Sequence, residues 1–547
     1  MRGPLRRLAL AVVTLAVCVV VPSPAPASAA TDFAAVACSL PHDQLLRIWR
    51  GTEPDRSGQI LVVPQEPNFL GSNFPHSGPW DYLQDVPLFW YGPGYLKPQP
   101  KVERSVTIAG IAPTQAGLLG FDGFDAPDGV AMPEVLAAAK DTPPKLIVTM
   151  VWDAAGRSVL DTWPKDWPVL KSLIPKGIWY DNASVGSSPS ITPATHATIG
   201  TGAYPQTTGQ VDAEFRLGDD TQLVRAGDFG PTLLDSATLS DVYDRAMGNA
   251  PVVGVLASVT WHLNMMGHGA MWNGGDHDIA VLRLSDSSNG GVEGDAWNIK
   301  SKNAPYYRFP AYVNDLPNVD TYTAALDRAD GARDGKWRQN SIEQLANGWD
   351  TPARVPFQDR MYAEVIKREG FGADDVPDLL FINSKIIDHV GHGWSVNSPE
   401  MQDTLHWQDA GLREFIGTLN DEVGRGNWVM LLTADHGHQF DPAVSGAFQI
   451  SPATLLSDLQ ARFDDGVDPS IFVGVRTSQT FLNMQELEQS GYSVEDIADF
   501  MLHYTKGQAS ANPSSLTADE QNDEVFSAVF PTSVFDHPLP CLSEAGT

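Results

Sequence analysis

Basic residues are scarce in this chain: 36 Lys and Arg stand against 67 Asp and Glu over 547 residues, a formal net charge of −31. Such a surface repels polyanions and anionic lipid, so no nucleic-acid polymer is expected as a partner. An anionic substrate would then need positive charge concentrated locally, and bound metal cations are one way to supply it. Cysteine is scarcer still, with Cys18, Cys38 and Cys541 the whole complement. Internal repeats are missing, which excludes solenoid and propeller arrays. Long apolar segments are missing beyond the first 30 residues, so no membrane span is expected there.

The start has the pattern of an export signal. Met1 to Arg7 is basic, Leu8 to Val21 is almost wholly apolar, and Ala27-Ser28-Ala29 is a small-residue cleavage pattern. A membrane anchor is the competing reading, but the apolar run is shorter than the ~20 residues a span needs. Residues 1–29 are therefore expected to be a signal peptide, making the protein secreted. Removing its three arginines would take the net charge from −31 to −34. Cys38 and Cys541 would remain, and two cysteines in an exported protein suggest one disulfide, with two free thiols the alternative.

Three apolar runs read as buried parallel strands that end in acids: Lys145-Leu-Ile-Val-Thr-Met-Val-Trp152 before Asp153, Asp378-Leu-Leu-Phe-Ile-Asn383 before Asp388, and Asn427-Trp-Val-Met-Leu-Leu-Thr433 before Asp435. Amphipathic helical patterns lie between them. The expected fold is α/β: a doubly wound, mostly parallel central sheet with helices on both faces. Ligands bind such sheets beyond the carboxyl ends of the strands, where all three acids sit. One catalytic domain is expected over 30–547, with a linker at 138–144. The segment 212–350, rich in Gly, Asn and Asp, reads as an inserted cap. Residues 440–547 form a C-terminal segment.

Metal-assisted phosphoryl transfer needs oxygen and imidazole ligands around cations that bind the nucleophile and polarise the phosphoryl oxygens. Asp153 past its strand is one candidate, although an Asp there is commonly a turn or a helix cap. In Ser190-Ile-Thr192-Pro-Ala-Thr-His196 a hydroxyl precedes a probable helix start, which favours bound phosphate. Thr192 could equally be a plain N-cap followed by Pro193. Asp388-His-Val-Gly-His392 and Asp435-His436-Gly-His438 complete the set. Each alone could be a polar loop; all of them in one order at strand ends make a stronger case.

These motifs resemble those of the alkaline-phosphatase superfamily, nearest its type I phosphodiesterase/nucleotide pyrophosphatase branch. The resemblance implies that fold and two divalent metal ions, zinc by that similarity. One would be held by Asp153, Thr192, Asp435 and His436. The other would be held by Asp388, His392 and one more histidine, which in the family lies downstream of Asp-His-Gly. That downstream region does not match here. The expected pattern stands at the front instead, in Phe74-Pro-His76-Ser-Gly-Pro-Trp80 through Val86-Pro-Leu-Phe-Trp-Tyr-Gly92-Pro-Gly94, followed by Ile111-Ala-Pro113-Thr. The order of elements looks rotated, a circular permutation in which 30–137 is the moved segment and His76 the missing ligand. His438 is the alternative. A Cys38–Cys541 disulfide would rejoin the old connection, closing a loop of about 500 residues worth on the order of 5 kcal/mol.

The resemblance further implies a secreted metal-dependent hydrolase that acts on a small-molecule phosphate ester through a phosphothreonine at Thr192. The cations that monoesterases of one related group carry are missing from Ser258-Val-Thr-Trp-His262. That tilts the expectation towards a phosphodiester or pyrophosphate substrate, with Trp261, His262 and His268 as candidates to line the pocket. The alternatives are a phosphomonoesterase and a non-catalytic extracellular binding protein of the same fold. The Cys/Ser-x-Pro-x-Arg pattern of sulfatases is absent.

Overall fold

The computed structural model describes residues 30–218, 221–226, 230–268, 274–283, 296–329, 331–345, 350–464 and 469–543. Residues from Phe33 onward form one compact unit. The proposed signal peptide, 1–29, lies outside the described residues.

A ten-stranded sheet organises the molecule. In chain order its strands are β1 (Leu88–Tyr91), β2 (Gln99–Val102), β3 (Leu146–Trp152), β4 (Ile178–Tyr180), β5 (Val253–Ala257), β6 (Asp278–Arg283), β7 (Trp297–Asn298), β8 (Tyr307–Arg308), β9 (Asp378–Ser384) and β10 (Trp428–Thr433). The order across the sheet is β7-β6-β5-β9-β3-β10-β1-β4-β2, and β8 pairs with β6. The five central strands from β6 to β10 are mutually parallel, whereas β1 runs antiparallel to both neighbours. Every residue of β3, β5, β9 and β10 is buried. A strand that is apolar on both faces can be stable only if both faces are covered, which is why these runs show no alternation.

The segment 212–350, expected as an inserted cap, also contributes strands β5 to β8 to the sheet. Val253-Gly-Val-Leu-Ala257 is short and holds a glycine, and the polar residues around it hide it in the sequence. Gly254 is also the place where Phe371 packs close, 3.0 Å from where a Cβ would stand.

A second, four-stranded sheet mixes the two ends of the chain. The strand Ile60–Pro64 lies between Gln479–Leu482 and Phe526–Pro531, antiparallel to both. Its Ile60, Leu61, Val62 and Val63 are all buried, and each such side chain contributes about 1.5–3 kcal/mol by leaving water. Cys38 and Cys541 form the expected disulfide, with Cα atoms 5.8 Å apart. Among the described residues no helix is long and apolar enough to cross a membrane.

Candidate metal centre

Strands β9, β3 and β10 lie side by side, and their carboxyl ends converge. Asp153 follows β3 directly, and Asp435 comes two residues after β10. Past β9 the helix Ile386–Trp394 begins, with Asp388 and His392 one turn apart on one face. Two glycines let the loops after β3 and β10 close together. A Cβ on Gly156 would lie 2.5 Å from Gly437 Cα, and one on Gly437 would lie 2.2 Å from the Tyr82 carbonyl. Opposite them, the helix Thr192–Thr201 opens on Thr192 itself, with Ile191 at the N-cap position. The capping alternative for Thr192 is therefore not realised. Its Oγ1 accepts a hydrogen bond from Lys385 Nζ at 2.7 Å and lies 3.4 Å from His436 Nε2.

Two ligand groupings result. Asp153, Asp435 and His436 form one; His76, Asp388, His392 and His438 form the other. In the first, His436 Nε2 lies 3.2 Å from Asp435 Oδ2 and 3.6 Å from Asp153 Oδ1. In the second, the Nε2 atoms of His76 and His392 each lie 3.4 Å from Asp388 Oδ1, and that of His438 lies 3.9 Å away. The rings of His76 and His436 stack at 3.6 Å, joining the groupings.

Hydrogen bonds at Nδ1 divide the histidines by tautomer. His76 Nδ1 donates to the Ser190 carbonyl, His392 Nδ1 to Asn73 and His436 Nδ1 to Gly437, at 2.8, 2.7 and 2.9 Å. A carbonyl only accepts, so the proton sits on Nδ1 and Nε2 keeps a lone pair, as in a metal-ready imidazole. His438 is the reverse: its Nδ1 accepts the Gln439 N–H at 2.9 Å, which leaves the proton on Nε2. His262 Nδ1 likewise accepts the N–H groups of Ser258 and Val259.

The second grouping calls for a cation. Burial pushes His392 down to about 4 and lowers His76 as well, so both rings are neutral near pH 7. Their lone pairs then face Asp388 Oδ1, which accepts no hydrogen bond. Three electron-pair donors turned on one another in a buried site are reconciled by a divalent cation. His436 shows the same demand in the first grouping. Burial alone would lower it, but Asp435 and Asp153 hold it up at about 9. A site that draws a proton so strongly draws a metal ion in its place.

Another grouping, Asp153 with His196 and His262, is closed by hydrogen bonds instead. The Asn383 amide donates to Asp153 Oδ2 at 2.8 Å and to His196 Nε2 at 2.9 Å. His262 is fully buried, with Nε2 3.6 Å from Asp153 Oδ2. It therefore stands directly against a ligand. Trp261 packs against the cluster of Val211, Phe215 and Ala226. His268 is held by Asp241 at 3.0 Å.

The sequence reading missed Lys385. Its ammonium donates to Asp153 Oδ1 at 2.9 Å, to Asp388 Oδ2 at 2.8 Å and to Thr192 Oγ1. Burial opposes its charge, but Asp153 and then Asp388 keep it protonated. Asp153 is itself held well below the usual carboxylate range: burial pushes it up, but Lys385 together with His262 and His436 outweighs that. The available signal was a lone cation at the end of a buried strand.

A profile of the family described as "Type I phosphodiesterase / nucleotide pyrophosphatase" matches residues 147–526. Alkaline phosphatase PafA of Elizabethkingia meningoseptica is 23% identical over 415 residues, covering 67% of this chain and 74% of that protein. A calcium-transporting ATPase of Myroides odoratus is 25% identical, covering 56% of this chain and 62% of that protein. Alkaline phosphatase PhoV of Synechococcus elongatus is 26% identical, covering 54% and 59%. The chain thus spans less than two thirds of the last two proteins. The crystal structure of wild-type PafA aligns over 72% of this chain and 85% of its own at 18% identity, with a TM-score of 0.49. With more than half its length matched, this chain belongs to the type I phosphodiesterase/nucleotide pyrophosphatase family of the alkaline-phosphatase superfamily and is a hydrolase of phosphoric ester bonds.

Proposed function

We propose that the chain hydrolyses small-molecule phosphate esters with Thr192 as nucleophile. The observation that carries this reading is the position of Thr192 Oγ1. It lies at a helix start, against the first ligand grouping and 2.7 Å from a buried ammonium. Asp153, Thr192, Asp435 and His436 would hold one divalent cation; Asp388, His392 and His76 would hold the other. Zinc suits this mixed carboxylate and imidazole set. When bound, such ions polarise phosphoryl oxygens and lower the proton affinity of hydroxyls.

Thr192 Oγ1 loses its proton to water and attacks phosphorus in line with the leaving alcohol. The Thr192 O–P bond forms as the ester O–P bond breaks, and the departing oxygen takes a proton from water. Water then cleaves the phosphothreonine, giving inorganic phosphate from a monoester or a phosphate monoester from a diester, and restoring the threonine hydroxyl. Thr195 N–H is taken by the Ile191 carbonyl at 3.0 Å, so the Ala194 amide, the first past Pro193, would be the one to meet charge that develops on the phosphoryl oxygens.

A circular permutation accounts for His76. The family profile begins at residue 147, so His76 lies outside it, yet His76 completes the second grouping. Ile60–Pro64 pairs between strands from the C-terminal end, and the disulfide links residues 38 and 541. The disulfide and the N-terminal pattern together favour secretion.

Metal analysis with turnover of mono- and bis-nitrophenyl phosphate tests the function. Thr192→Ala should lose turnover while retaining metal, and acid quenching of the unaltered enzyme should trap phosphothreonine. Metal-loaded protein that hydrolyses neither ester would favour the binding-protein reading.

A further inference from the structure

We propose that Lys385 is a catalytic residue that supplies the site's surplus positive charge and thereby selects dianionic phosphate monoesters. This inference rests on the role given to Thr192 above. It starts from geometry. The three N–H bonds of the ammonium go to Asp153 Oδ1, Asp388 Oδ2 and Thr192 Oγ1, at 2.9, 2.8 and 2.7 Å. Lys385 thus joins one carboxylate from each ligand grouping to the attacking oxygen. The residue is 4% exposed, so these contacts are shielded from water.

Charge counting gives the consequence. Asp153, Asp388 and Asp435 carry one negative charge each. Two divalent cations leave that ligand set at about +1, and ionised Thr192 brings it to about zero. Without Lys385 the reacting centre would be neutral, inside a protein of formal charge −31. The ammonium makes it positive. A diester brings one negative charge and a monoester two, so the extra cation matters more to the monoester. Among the other residues here, Ser258, Val259, Thr260 and Trp261 carry no charge, and His262 faces Asp153 from behind. Lys385 follows β9, the parallel strand beside the one those positions follow, and supplies the charge they lack.

As phosphorus bonds to Thr192 Oγ1, the N–H that pointed at that oxygen lies beside the phosphoryl group. It can then turn to a non-bridging oxygen, where charge is greatest in the transition state. No proton leaves Lys385 in this step.

The test is Lys385→Met, which keeps the length and removes the charge. The expected result is an approximately hundredfold or greater fall in kcat/KM for mono-nitrophenyl phosphate, in the range seen when one buried donor to a developing oxyanion is removed. For bis-nitrophenyl phosphate the expected fall is about tenfold or less. Affinity for inorganic phosphate, measured by calorimetry without turnover, should fall with monoester activity. Bound metal per chain should stay unchanged. Equal losses on both esters, unchanged phosphate affinity, or loss of metal would each overturn the proposal. If Met at 385 prevents folding, Lys385→Gln keeps a donor without the charge and must show the same split. Thr192→Ala run alongside separates the two readings: wild-type turnover in that variant refutes the nucleophile, whatever Lys385 does.

Discussion

His76→Ala and His438→Ala should behave differently, although both rings stand over Asp388. His76 donates Nδ1–H to a carbonyl and offers a lone pair at Nε2; His438 accepts an amide at Nδ1 and carries its proton at Nε2. The first is built as a ligand; the second turns its N–H toward Asp388 Oδ1 from 3.9 Å without bonding it. Structural zinc binds small sites with about 10–16 kcal/mol, so one of three or four ligands is worth roughly 3 kcal/mol or more, over a hundredfold in affinity. A ring beside the ligands that makes no hydrogen bond to them is worth at most the roughly 10- to 100-fold of an outer hydrogen-bond partner. His76→Ala should therefore lose one cation to a chelator that leaves the unaltered protein loaded. His438→Ala should lose it only at higher chelator concentration. His438→Gln, which restores an N–H near the former Nε2, should come close to the unaltered protein, and His76→Gln should not. Mass-spectrometric metal counts after graded chelation read all four variants. If His438→Gln loses a cation while His76→Ala keeps two, the tautomer argument is wrong and the ligand assignment passes to His438.

Breaking the disulfide should destabilise without touching the metal centre. For a span of 503 residues the loop-entropy expression gives about 6 kcal/mol, an upper figure because unfolded chains keep some structure. Cys38→Ser with Cys541→Ser should lower the guanidinium midpoint and leave bound metal unchanged; an unaltered midpoint speaks against it. Asp244 supplies a pH signature away from the centre. Burial, then Asp276 and Asp241, raise its carboxyl from 3.8 to about 7. The folded state therefore holds the proton more tightly than the unfolded chain. The associated stability is full below pH 3.8 and is lost as pH rises through about 7. Asp244→Asn should thus melt higher than the unaltered protein at pH 8, by about 1–2 kcal/mol after allowing for partial solvation, and similarly at pH 4. Equal melting at both values would show that the carboxyl is not perturbed. Gly437→Ala places a Cβ 2.2 Å from the Tyr82 carbonyl, between His436 and His438. It should cost about 1–3 kcal/mol and weaken metal retention; a variant as stable and as metal-rich as its parent would show that the loop can yield.

Much of the centre was legible because metal ligation constrains residue type and place together. Asp153, Asp388 and Asp435 could be placed at strand ends since fully buried strands show as unbroken apolar runs. Other features depend on conformation and leave no such trace. His76 and His438 differ only in which backbone group meets Nδ1, a property of loop geometry. His262 stood out only as part of the stretch that lacks the cations of related monoesterases; that its ring lies against Asp153 depends on the fold of the segment after β5. β5 and β6 escaped because β5 has only five residues and holds Gly254, while β6 begins at Asp278 and ends at Arg283, so neither reads as a long unbroken apolar run.

Lys385 is the most instructive omission. Between the buried Ser384 and Ile386, one lysine looks like a strand terminus reaching for solvent, and lysine is almost never buried unless paired. That same rule makes its burial informative. Moving an ammonium out of water is costly, and here three oxygens offset the cost, two of them from the carboxylates that would face metal ions. A chain with so few cations places one of them out of reach of water, between two carboxylates and the attacking hydroxyl. The sparse positive charge that opened the sequence reading is thus spent partly at the reacting centre, and a monoester-to-diester comparison is the measurement most sensitive to it.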